Sequence, residues 1–130
     1  MSVVKDDVEL VLPFKAEYVS IARLASAGVA NRVGFDIEVI EDIKVAVSEV
    51  CNKLISTGSQ VASSYKITFR IGKGELDIIF DCPDKSLKCI FDEKNDELSL
   101  SIINALMDKV EFCSEKDFLL AMSKSIEEND

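Results

Sequence analysis

The side chains with the most chemical potential in this sequence gather in one word, SEVCNKL, which holds Glu49, Asn52 and Lys53 within little more than one helical turn. A carboxylate and an ammonium at this spacing share a helical face, so the plainest reading of Glu49 and Lys53 is an ion pair worth ~0.3 kcal/mol. Asn52 falls about 100° around the helix from Lys53. In LDIIFDCPD, Asp81 closes an apolar alternation two positions before Pro83, whose ring fixes φ and removes a donor, and an acidic residue there forms turns. Glu97 and Ser99 open a later apolar segment, where an acidic first-turn residue suits the helix dipole. The chain has no histidine, which removes Ser-His-Asp and Cys-His catalysis. Cys51, Cys82, Cys89 and Cys113 form no CxxC pair, so no metal site is expected and two or three of them should be small, reduced core residues.

At 130 residues the chain has room for one domain, spanning 1–130, and its 48% hydrophobic and 30% charged content is that of a packed globule. A net charge of −9 repels phosphate backbones and anionic lipid, so neither nucleic acid nor a membrane surface is an expected partner. The richest apolar stretch, Val45 to Ile55, is broken by Ser48, Glu49, Asn52 and Lys53 and falls short of the roughly 20 residues that cross a bilayer. Met1 to Asp7 lacks a cationic segment followed by an apolar one, so a cytoplasmic location is expected.

The elements that must position these side chains follow from periodicity. Val8 to Phe14 alternates as a strand ending at Pro13. Helical spacing of Tyr18, Ile21, Ala22, Ala25, Val29 and Val33 predicts a helix over Ala16 to Arg32, stopped at Gly34. A second and longest helix runs from a cap at Asp36 to Thr57, with Ile37, Ile40, Ile43, Val47, Val50, Cys51 and Leu54 as its apolar stripe. After a polar loop from Gly58 to Ser64, Tyr65 to Ile71 and Leu76 to Asp81 read as strands joined across Gly72 to Glu75. The charged stretch from Cys82 to Asp96 reads as a mobile, solvated loop. Glu97 to Met107 returns to helix through Leu98, Ile102, Ala105 and Leu106, strands at Val110 to Cys113 and Phe118 to Met122 follow, and the tail from Ile126 frays. Strand, helix, helix, strand, strand, helix, strand, strand gives an α/β two-layer sandwich.

This order, with PFKAEYVSIARLASAGVANRVGF, IEDIKVAVSEVCNKLI and LSLSIINALMDKVEF, resembles the RsbW and SpoIIAB family of bacterial anti-sigma factors, serine-protein kinases of the GHKL (histidine kinase-like, Bergerat) ATPase fold. The resemblance implies a mainly antiparallel, mixed sheet with three helices on one face. It also implies a second-helix glutamate that polarises the attacking hydroxyl and an asparagine four positions later that holds Mg²⁺. Glu49 fills the first position, but Lys53 fills the second, and an ammonium cannot ligate a cation. The family's aspartate-x-glycine, which meets adenine, becomes Asp81, Cys82, Pro83. Its phosphate-cradling GxG turn becomes Glu97, Leu98, Ser99, with a carboxylate and a Cβ where bare amides are needed.

Three departures in one direction lead to the expectation of an RsbW-like partner-switching protein that works by protein contact, with weak or lost Mg-ATP binding and a vestigial Glu49. The resemblance implies a sigma factor or an anti-anti-sigma (STAS) protein as partner, held by the first helix, with Tyr18, Arg23 and Asn31 as candidate contacts, and a homodimer through the exposed first strand. The rival is an active ATP-dependent serine-protein kinase with Glu49 as base and Asp81 on adenine. A third reading is a sensor that binds another small ligand in the former nucleotide pocket.

Overall fold

The computed structural model describes residues 5–59, 63–83, 91, 94–112 and 118–126. Its elements are β1 (Asp6–Pro13), a 3₁₀ turn (Ala16–Tyr18), α1 (Val19–Val33), α2 (Ile37–Gly58), β2 (Ser64–Gly72), β3 (Glu75–Asp81), α3 (Glu97–Leu106), β4 (Lys109–Phe112) and β5 (Leu120–Ser125). The strands form one sheet in the order β1-β2-β3-β5-β4, and all four pairings are antiparallel. This is the expected two-layer α/β sandwich, with β1 and β4 at the edges.

Register sorts the sheet into a buried and a half-exposed face, because successive side chains alternate. Leu12 sits opposite Tyr65, Ile67 opposite Phe80, Phe69 opposite Ile78, and Ile78 and Phe80 opposite Met122 and Leu120. These residues are all buried and join Ala22, Ala30, Ile43, Val47, Val50 and Leu54 of the helices in a single core, so the helices cover that face. The outer face carries cross-strand charge pairs such as Arg70 with Asp7 at 3.0 Å. β2 turns into β3 through Lys73 and Gly74, and Gly74 supplies the left-handed φ of 71° that a side chain would resist.

Local chemistry sets the helix ends. Gly34 at φ 106° stops α1, its N–H donating to Ala30 and Asn31 carbonyls. Asp36 caps α2 by accepting from the Val39 N–H at 3.0 Å. Both signals are where the sequence puts them, and so is most of the apolar phase of these two helices: Ala22 and Val29 of α1 and Ile40, Ile43, Val47, Val50, Cys51 and Leu54 of α2 are buried. Ile21 and Ile37, expected in the buried stripes, are 41% and 69% exposed. In α3 the expected stripe through Leu98 is rotated: Leu98 is 76% exposed, while Leu100 and Ile103 are the buried pair. The segment expected as a solvated loop contains Phe91, which is buried in the core, because one aromatic ring outweighs the charges around it in burial energy. The rest of that expectation, at 84–90 and 92–93, lies outside the described residues, as do Cys89, Cys113 and the tail beyond Ile126. Cys51 and Cys82 are buried. No described helix is long and apolar enough to cross a membrane.

Candidate functional site

α2 positions the central word. Its buried residues Ile43, Ala46, Val47, Val50, Cys51 and Leu54 face the core, and at about 100° per residue Lys53 borders that arc, Glu49 lies next to it and Asn52 points to the back. Glu49 is accordingly half-exposed and Asn52 exposed. α2 is uninterrupted α-helix through this stretch, so Asn52 is not shifted into the position Lys53 holds.

Lys53 does not turn to Glu49. Its Nζ donates to Oδ1 of Asp96, 43 residues away, at 2.8 Å, with the two side chains 23% and 13% exposed. Among the described residues no ion pair joins Glu49 to Lys53, so the expected i,i+4 pair gives way to a tertiary one: a charge-assisted bond between half-buried groups outweighs a solvated local pair. Asp96 is the residue immediately before α3, and its carboxylate makes no capping bond to that helix. Glu97 is exposed in the first turn of α3, and Ser99 is half-buried. The structure thus brings Lys53 and the start of α3 together.

Asp81 is not part of that group. It continues the half-exposed row of β3, with Lys66 as its partner in register, and its Oδ1 accepts from the next N–H, that of Cys82, at 2.8 Å. It lines a cleft of about 290 Å³ with Val11, Ser64, Lys66 and Pro83, which includes none of Glu49, Asn52 or Lys53.

Beneath α2, Cys51 and Tyr65 form a buried pair. Burial pushes the Cys51 thiol up to about 11, and burial beside Cys51 raises the Tyr65 phenol further. The Tyr65 hydroxyl makes no well-aligned hydrogen bond among the described residues, while its ring packs on Phe14 with centroids 5.0 Å apart.

On α1, Arg23 and Asn31 are exposed and lie about 80° apart around the helix, and Tyr18 is half-buried against the core about 140° from Arg23. Between Arg23 and Ile21 on the exposed arc stands Leu24, 71% exposed, which the sequence reading passed over. Asp96 was passed over too. Its only local signal is an acidic residue just before an apolar helix, and nothing in the spacing connects it to Lys53.

A five-stranded antiparallel sheet covered on one face by three helices, with a glutamate on the rim of the second, defines a histidine kinase-like ATPase domain, and the model of that family matches residues 12–124. The chain is 32% identical to the serine-protein kinase RsbW of Halalkalibacterium halodurans over 140 aligned positions, covering 96% of this chain and 86% of the relative. It is also 32% identical to the RsbW proteins of Bacillus thuringiensis and Bacillus anthracis over 138 positions, covering 94% of this chain and 86% of each. The chain belongs to the RsbW-type branch of the histidine kinase-like ATPase family.

Proposed function

We propose that this chain is an RsbW-like regulator that acts by protein-protein contact, with weak or lost Mg-ATP binding. The observation that carries the reading is the Lys53–Asp96 ion pair at 2.8 Å. Lys53 stands where the family resemblance puts a magnesium ligand, and a protonated amine offers three donors and no lone pair. The donor set therefore does not fit a divalent cation. Two further features support this. The Asp81 carboxylate is engaged by the Cys82 N–H, and Glu97 sets a negative charge at the start of α3, where a triphosphate would be repelled.

The relatives are named serine-protein kinases, and kinase activity is the competing reading. Half-exposed Glu49, which is not spent on Lys53, favours it as the one retained catalytic position. On the favoured reading the partner is a sigma factor or an anti-anti-sigma protein that meets α1 at Arg23, Asn31 and Leu24. A guanidinium beside an exposed leucine has the chemistry of an interface anchor.

Affinity capture from the native cell, with mass spectrometry and then binding to the purified partner, tests the proposal. A sigma factor or STAS protein should be retained equally with and without Mg-ATP, and Arg23→Ala should weaken it. Transfer of phosphate from ATP to a serine of that partner would establish the kinase instead.

A further inference from the structure

Asp96 occupies the N-cap position of α3 at φ −113° and ψ 23°, yet its carboxylate makes no bond to the amides of its own helix. Aspartate is favoured at such positions because it caps locally. Here the carboxylate reaches across to Lys53 of α2 instead, and both side chains are mostly shielded from water. The exchange is informative because the first turn of this 10-residue helix has little else to hold it, with Leu98 76% exposed. The C-terminal half is held independently: Leu100 and Ile103 are buried, Met107 follows in the core, and the Leu106 carbonyl accepts from Lys124 Nζ at 2.9 Å. A helix of this length is marginal alone and depends on its docking. The position of the cation matters as well: an ammonium near the positive end of a helix is disfavoured unless a carboxylate stands between them, and Asp96 does.

The geometry points to the Lys53–Asp96 pair as an internal clamp that holds the start of α3 against α2. It deepens the functional reading, resting on the assignment of Lys53 to the metal-ligand position. Two side chains of the chain itself thus join these helices. The start of α3 is then set constitutively, and it is released by breaking the pair rather than by nucleotide.

Amide hydrogen exchange on the full chain, followed peptide by peptide, tests this. Two variants are compared with wild type in the absence of nucleotide: Lys53→Met, which keeps the aliphatic stem, and Asp96→Ser, which can still cap α3 but cannot pair with lysine. Exchange over residues 97–106 should rise roughly 3- to 30-fold in both, the range expected for loss of a charge-assisted bond between half-buried groups. Peptides from α2 and β2 should keep their rates. Wild-type rates over α3 in either variant overturn the clamp, because local capping alone would leave Asp96→Ser protected. Acceleration spread evenly over all elements overturns it as well, assigning the pair to global stability. Binding of Mg-ATP to the wild-type chain would sink the functional reading and leave this ligand-free comparison intact.

Discussion

Raising the pH from 8 to 11 should destabilise this protein through Cys51. The thiol is fully buried in the core, and its folded pKa is pushed from about 9 up to about 11. In the unfolded chain the thiol ionises near its ordinary value, so between these limits the unfolded state binds fewer protons than the folded one, and stability falls as pH rises. Two units at 1.36 kcal/mol each give a loss of about 3 kcal/mol, fully absent below pH 9 and nearly complete by pH 11. For a domain of this size that is a drop in melting temperature of roughly 10 °C. Tyr65 adds to it above pH 10, because its phenol is raised in the same direction by burial beside Cys51. The assay is urea unfolding followed by circular dichroism at half-unit steps, comparing wild type with Cys51→Ala. The variant pays a cavity cost at every pH, so the difference in slope between pH 9 and 11 is the readout. Parallel slopes for the two proteins would refute the reasoning.

Tyr65→Phe removes a buried hydroxyl that has no well-aligned partner, so urea unfolding at pH 7 should show a change between zero and about 1 kcal/mol of added stability; a loss above about 1 kcal/mol would mean the hydroxyl is satisfied. Asp36→Ala removes the bond to the Val39 N–H and should cost about 1 kcal/mol in the same measurement, with Asp36→Ser restoring most of it. Arg23→Ala on the exposed arc of α1 should leave the melting temperature unchanged within about 2 °C, a precondition for reading its effect on partner binding.

Much of the fold is legible in the sequence because its strongest signals are local. Asp36 and Gly34 bracket the α1–α2 turn, the alternation in YKITFRI and LDIIFD becomes two paired strands, and the small loop at Gly74 joins them. The phase of α3 was not legible. Leu98, Leu100, Ile102, Ile103 and Leu106 spread apolar groups over about 200° of a short helix, wider than one stripe, and tertiary packing selects the Leu100 and Ile103 side of that arc. The site divides the same way. Glu49, Asn52 and Lys53 are placed by one helical period, and their order from rim to back follows from it. The bond that decides what Lys53 does is with Asp96, and a partner 43 residues distant leaves no trace in spacing or composition. In the sequence Asp81 reads either as a turn-former or as an adenine contact, because both uses put an acidic residue at the end of a strand.

Isothermal titration of the purified wild-type chain with Mg-ATP and with Mg-ADP is the most direct measurement. With an amine paired to a carboxylate where the family resemblance puts the metal ligand, and a further carboxylate at the start of α3, the proposal expects no heat of specific binding below millimolar nucleotide. A saturable, magnesium-dependent isotherm in the micromolar range would contradict it.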